Sequence, residues 1–357
     1  MIKAFKYRIY PNEEQRAYFA KTFGSTRFVY NRMLSDKIEH YKCTGQTLKN
    51  TPAQYKEAFP WLKEVDSLAL ANAQMNLEKS YRNFFRDRSV GFPKFKSKKN
   101  NYRSYTTNNQ KGTVTIQNGY IKLPKLKSMV KIMQHRLFDG LIKSCTISQN
   151  PSGKYYVSVL VECEIEKLPR LETKVGIDVG VKVFAVLSNQ SVIENPKHLR
   201  KSEKRLAKFQ KDLSRKEKGS CNRTKARIKV AILHEKITNQ RLDFLHKTSS
   251  KIISENQAIV LEDLKIKNMV QNRKLAKSIS EVSWGMFRRM IEYKADWYGR
   301  EVIIAPTNYA SSQLCSSCGN QSSQTKDLSC RTYVCPICSL EIDRDYNASL
   351  NLLKLAV

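Results

Sequence analysis

Two short strings near the end of the chain, CSSC (315–318) and CPIC (335–338), constrain its folding more than anything else in the sequence. Each is a Cys-x2-Cys pair, and sixteen residues separate them. That is the spacing of a four-thiolate zinc ribbon, in which each pair closes one tight turn and the metal takes four sulfurs tetrahedrally at about 2.3 Å. The symmetric pairs and the polar, turn-rich filling favour zinc over an iron–sulfur cluster. With Cys315, Cys318, Cys335 and Cys338 all as ligands no coordination position stays open, so one structural zinc ion is expected. Cys330 lies between the pairs, fits neither turn and reads as a bystander. Cys43, Cys145, Cys163 and Cys221 are scattered singly, and an odd total of nine argues against a disulfide framework.

Charge sets the second constraint. Lys and Arg number 64 against 32 Asp and Glu, a formal net charge of +32. The excess is spread along most of the chain, so self-repulsion is costly unless a polyanion neutralises it. Nucleic acid is the expected partner; a merely basic soluble protein, or one that binds anionic membrane, is the alternative. No apolar run approaches the roughly 18 residues of a membrane span. The opening MIKAFKYRIYPNEEQ has no apolar signal-peptide core, so a cytosolic location is expected.

Along the chain, KAFKYRIYP alternates like a strand and ends at Pro11. Helical spacing follows, with Asn12 as its expected N-cap, and a second helical run places Leu70, Leu77, Tyr81 and Phe84 on one side. GFPKFKSKKNNYRSYTTNNQKG is basic and interleaved with aromatics, and reads as a nucleic-acid-facing loop rather than a plain connector. TVTIQ, GYIKLP, SCTISQN and YYVSVLVECEI are strand signals, into which the first strand could pair. KLPRLETK marks a boundary. Beyond it strands alternate with helices, among them two highly basic helices broken at Gly219 and Ser220 and an amphipathic helix closed by Gly299, so this half reads as α/β.

Three acids stand out in that half. Asp178 interrupts the apolar run VGIDVGVKVFAVLS, Glu262 ends AIVLE, and Asp345 opens the last helix. Hard divalent cations such as Mg2+ take carboxylate oxygens, and two of them about 4 Å apart can bind the attacking and leaving oxygens of a phosphodiester. Carboxylates gathered from strand ends are how an RNase H-like fold builds such a centre. Taken singly, Asp178 could be a turn residue, Glu262 a surface acid and Asp345 a helix cap. In the string EIDRD, Asp345 is favoured as the ligand, Asp343 as local structure and Glu341 as ordinary surface.

These strings resemble the TnpB (OrfB) family of RNA-guided nucleases of bacterial insertion sequences, relatives of type V CRISPR effectors. GIDVGVKVFAVLS, IVLEDL and DRDYNASLN are similar to its three RuvC motifs, and SSQLCSSCGNQ…KDLSCRTYVCPIC to its zinc ribbon. KAFKYRIYPNEEQ, FVYNR, NQRLDFLHKTS, KLAKSISEVSWGMF and YKADWYGREV extend the likeness over nearly the full length. One departure is Ser339, where the family more often has Gly after the last cysteine.

The resemblance implies an α/β plus β chain with an RNase H-like (RuvC) nuclease domain (171–310 and 340–357) and a zinc-ribbon insertion (311–339). It implies an N-terminal wedge-like β-barrel (residues 1–10 and 96–170) interrupted by a helical recognition domain (11–95). The implied activity is RNA-guided, Mg2+-dependent cutting of double-stranded DNA beside a short target-adjacent motif. Asp178, Glu262 and Asp345 would be the catalytic ligands of two Mg2+ ions. The implied partners are a guide RNA from the transposon end and target DNA, with no membrane and no obligate protein partner, in a bacterial or archaeal cytoplasm near the nucleoid. By analogy Tyr105, Thr107 and Asn108 would read the motif, and Arg241 and Arg344 would neutralise charge at the scissile phosphate. A nuclease-inactive guided repressor is an alternative that the intact carboxylate set disfavours. A strand-transfer transposase is another, and the chain shows no HUH pair with a catalytic tyrosine.

Overall fold

The first strand, β1 (Ile2–Tyr10), buries Phe5, Tyr7 and Ile9, every second residue, as its alternation requires. It belongs to one of two units in the computed structural model, Met1–Glu164 and Ile165–Val357; the structure describes residues 1–99, 103–323, 325, 327 and 329–356.

In the first unit the sheet continues through β2 (Arg103–Asn108), β3 (Thr115–Gln117), β4 (Tyr120–Lys122), β5 (Val130–Met133), β6 (Leu141–Gln149) and β7 (Tyr155–Glu162). Their order is β2-β6-β7-β1-β5-β4-β3, antiparallel throughout, with β1 paired along its length to β7. Tyr105 of β2 and Ile121 of β4 share one core cluster with Phe19 and Phe23 of helix α1 (Glu13–Thr44), so the sheet curls around that helix's first turns. The cap of α1 is a reciprocal box: Asn12 Oδ1 accepts from Gln15 N (2.9 Å) and Gln15 Oε1 from Asn12 N (3.0 Å). Helices α2 (Tyr55–Ala58) and α3 (Ser67–Arg86) complete the helical insertion between β1 and β2. Val29, Met33 and Leu34 of α1 pack there against Leu70 and Leu77 of α3.

The second unit is built on β8 (Lys174–Val179), β9 (Val183–Leu187), β10 (Val192–Glu194), β11 (Ala258–Leu261) and β12 (Glu301–Ile304). The strand order is β10-β9-β8-β11-β12; β10, β9 and β8 run antiparallel and β8, β11 and β12 parallel. A parallel pair needs a long crossover. The β8-to-β11 connection supplies it with α4 (His198–Ser214) and α5 (Cys221–Glu255), and the β11-to-β12 connection with α6 (Ile266–Met269), α7 (Ala276–Val282) and α8 (Trp284–Tyr298). Ser220 caps α5, and Gly299, with φ at 70°, ends α8. After β12 come the hairpin β13 (Thr332–Val334) and β14 (Glu341–Asp343), then α9 (Arg344–Leu353).

The period of two sorts the central strands onto two faces. Ile259 and Leu261 of β11, with Val175 and Ile177 of β8, pack on the α5 and α8 side. Val260 faces the other way, with Leu352 of α9 and Ala305. Helix α9 lies very close to β8. A Cβ on Gly176 would overlap the carbonyl oxygen of Ser349 and sit 2.5 Å from Leu353 N. Only glycine admits this approach.

Candidate metal centres and nucleic-acid interface

The close contact at Gly176 sets the register of three carboxylates. Asp178 is two residues beyond Gly176 on the same face of β8, about 6.6 Å along the strand. Asp345 is four residues before Ser349 on α9, about 6 Å along the helix. The matching rises bring the two side chains level. Glu262 joins them because β11 is parallel to β8 with Val260 opposite Gly176 and Leu261 opposite Ile177. Two residues past Val260, Glu262 is on the α9 face and level with Asp178.

The three carboxyls influence one another electrostatically. Burial raises the Asp178 carboxyl well above its ordinary range, and the charges of Glu262 and Asp345 raise it further, against the opposing pull of Arg344. Burial also raises Glu262, with Asp345 adding to the rise, while a hydrogen bond from Ser311 and the charge of Arg344 lower it. Carboxylates that penalise one another's ionisation in this way favour a nearby cation, which offsets the penalty.

The string EIDRD separates into distinct roles. Asp343 is the N-cap of α9: its Oδ1 accepts from Asp345 N (3.0 Å) and Tyr346 N (2.9 Å). Asp345 is therefore not needed as the cap; it lies in the first turn, where the helix dipole favours an anion. Glu341 is exposed on β14. Arg331 lies 3.5 Å from Asp345 Oδ2 and also lines a crevice of about 300 Å³ with Lys182, Lys197, Arg200, Ser278 and Glu281. In that crevice Glu281 Oε1 accepts from the backbone of Leu199 (2.9 Å) and Arg200 (3.1 Å), fixing the start of α4.

The four expected cysteines form one group, with all Sγ atoms within 4.8 Å of one another. Cys315 and Cys338 are 3.6 Å apart, and Cys318 and Cys335 are 3.5 Å apart. These separations are far too long for disulfides and close to the roughly 3.8 Å edge of a tetrahedral ZnS4 site. The two turns are copies of each other. Cys315 N donates to Asn320 O and Gly319 N to Cys315 O; Cys335 N donates to Leu340 O and Ser339 N to Cys335 O. Gly319 has φ 75° and Ser339 φ 56°, so Ser339 takes the left-handed conformation that glycine takes in the first turn. Cys330 is outside the group and donates to Thr332 O.

Other expected contacts are corrected. YTTNN begins as strand β2, not as a loop. Tyr105 and Thr107 fall on its inward face, Tyr105 against Phe19 and Phe23, and Thr107 bonded to Asp66. Neither is offered to a ligand; Asn108 is half-buried, 3.5 Å from Asn72. Asn100, Asn101 and Tyr102 of the same basic stretch lie outside the described residues. Arg344 is beside the carboxylates, but Arg241 lines a different crevice with His198, Phe244 and Glu281. Arg331 and Ser311 were not singled out in the sequence; the serine has no motif of its own, and the arginine is one of many cations.

Fold and sites together define a class: a basic protein with a zinc-ribbon-like cysteine cluster and the fold of Cas12f1. A chain in the solved structure described as "Cryo-EM structure of the Cas12f1-sgRNA-target DNA complex" superposes with a TM-score of 0.63 at 16% identity, over 96% of this chain and 83% of that one. Three family descriptions match along the sequence: "Probable transposase" (residues 156–273), "Cas12f1-like, TNB domain" (284–352) and "Helix-turn-helix domain" (1–46). The last span holds β1 and one uninterrupted 32-residue helix in this structure. A Streptomyces pristinaespiralis protein named "Putative RNA-guided DNA endonuclease" is 39% identical over 98% of this chain and 88% of its own length. The Escherichia coli K12 protein InsQ, named in the same words, is 32% identical over 99% and 92%. The chain belongs to the TnpB family.

Proposed function

We propose that the chain is an RNA-guided, Mg2+-dependent DNA endonuclease whose cutting centre is Asp178, Glu262 and Asp345. What supports this reading most is the electrostatic coupling of three carboxylates from distant parts of the sequence, two at the ends of the parallel strands β8 and β11 and the third in the first turn of α9. The strand order β10-β9-β8-β11-β12 supports an RNase H-like (RuvC) domain, formed by residues 171–310 and 340–357 around the ribbon at 311–339. The curled sheet and its helical insertion support a wedge-like barrel with a recognition domain, which would read the target-adjacent motif. The names of the relatives support a guide RNA and target DNA as partners. In the proposed reading the RNA is transcribed from the transposon end, the DNA is double-stranded and they meet in the cytoplasm.

Asp178, Glu262 and Asp345 would hold two Mg2+ ions, which would supply Lewis acidity for phosphodiester hydrolysis. The chain's own part is to place and balance charge. The Asp343 cap fixes the first turn of α9 and so the position of Asp345. Arg344 offsets the acids, and Arg331 stands between Asp345 and the basic crevice, where Lys182 and Lys197 would steer the DNA backbone. Base pairing with the guide would read sequence, while the protein holds the heteroduplex by its backbone. Four thiolates would hold one structural zinc.

The test is plasmid cleavage by the purified complex with its co-purified RNA, with and without EDTA. Cutting should need Mg2+ and stop in Asp345→Ala, while that variant still binds guided DNA; cutting that persists in EDTA would overturn the reading. Product analysis separates hydrolysis from strand transfer, which would leave joined ends.

A further inference from the structure

A buried polar chain links the carboxylates to the base of the ribbon. Ser311, 4% exposed, donates from Oγ to Glu262 Oε1 at 2.6 Å. Its carbonyl accepts from Asn351 Nδ2 on α9 at 2.9 Å. Asn351 is 1% exposed, and its amide also reaches Leu314 O at 2.7 Å. One turn earlier on α9, Asn347 is fully buried; it donates to Leu314 O (2.7 Å) and accepts from Ser316 N (2.9 Å), next to Cys315. Asp345 is two residues before Asn347 on the same helix.

We propose that Ser311 is a positioning residue: it fixes the Glu262 carboxylate for its metal and, through Asn351, ties that orientation to α9 and hence to Asp345. This rests on the carboxylate reading above. A carboxylate with two free torsions before its head group must be held to present one oxygen, and an O–H···O bond at 2.6 Å leaves Glu262 Oε2 free to be that oxygen. The serine is itself held through its backbone by a side chain of α9, so Glu262 and Asp345 share one rigid frame. Buried amides at Asn347 and Asn351 cost stability wherever their bonds are incomplete, and here they are spent on the segment between the two sites.

Fe2+ in place of Mg2+, with ascorbate and peroxide, cuts a polypeptide near the bound ion, and the fragments can be read by mass spectrometry. In the zinc-loaded, full-length complex with its RNA, fragments should end near residues 178, 262 and 345. Ser311→Ala should raise the half-saturating Fe2+ concentration about tenfold, with zinc content and melting temperature close to wild type. Ser311→Thr, which keeps the hydroxyl, should stay nearer wild type. Asn351→Ala should raise half-saturation by a smaller factor and be clearly less than additive with Ser311→Ala, because its path to Glu262 runs through Ser311. An unchanged half-saturation in Ser311→Ala, or fully additive effects of the two substitutions, would overturn the proposal. Glu262→Gln separates the two levels: if it leaves the fragments intact, the carboxylate reading itself fails.

Discussion

The second unit holds two candidate metal centres, and they are built in opposite ways. The thiolate cluster is local. Two four-residue turns, each closed by its own backbone hydrogen bonds, supply all four sulfurs from 24 consecutive residues. The carboxylate cluster is topological. Its proposed members come from positions 178, 262 and 345, and they can act together only because β8 and β11 are parallel in one register and α9 lies on Gly176. A local site survives if its turns survive. A topological site depends on every element that sets its register, so substitutions far from its ligands should reach it.

The largest effect should come from the ligands themselves. Asp178→Ala should lower DNA cutting by about a thousandfold or more, with zinc content, RNA co-purification and melting temperature retained; cutting within tenfold of wild type would break the contrast at the carboxylate end. Next is the local site. Cys335→Ser should lose the zinc, measurable by elemental analysis, and lower cutting strongly. Its cluster is followed directly by β14 and α9, so losing the turn frees the start of the helix that carries Asp345. Zinc loss with full cutting would show the two centres to be independent.

Gly176→Ala tests the topological argument without touching a ligand. The added methyl meets backbone atoms of α9, which cannot swing aside as a side chain can. We expect a loss of roughly 3 kcal/mol in denaturant unfolding and a large loss of cutting, with zinc retained. The smallest effect should be a gain. Ser339 holds a left-handed conformation at φ 56°, so Ser339→Gly should stabilise the zinc-loaded protein by about 0.5–1 kcal/mol and leave cutting unchanged. A destabilised Ser339→Gly would mean that the serine side chain contributes more than its backbone strain costs.

The same difference explains what the sequence disclosed. Spacing alone marks the cysteines, because both turns are short and repeat one pattern. Asn12, Ser220 and Gly299 mark helix ends by residue type. Asp178, Glu262 and Asp345 stand out as acids at the ends of apolar runs, but nothing in their spacing states whether they meet; their mutual electrostatic influence appears only in the structure. Alternation within YTTNN, which turns Tyr105 and Thr107 inward, is masked by its polar composition. Strand β5 buries only Val130 and Ile132, too short an alternation to stand out. Arg241 is near RuvC-like strings in sequence but faces another crevice, since proximity along a 35-residue helix says little about which side chains share a site. Ser311 is visible only as a partner of Glu262.

As proposed, Asp178, Glu262 and Asp345 form one divalent-cation centre, separate from the thiolate site. Anomalous diffraction from crystals of the complex soaked in Mn2+, recorded at the manganese and zinc edges, tests it most directly. Manganese density is expected among the three carboxylates and zinc density among Cys315, Cys318, Cys335 and Cys338. Manganese absent from the carboxylates while bound elsewhere on the protein would contradict it.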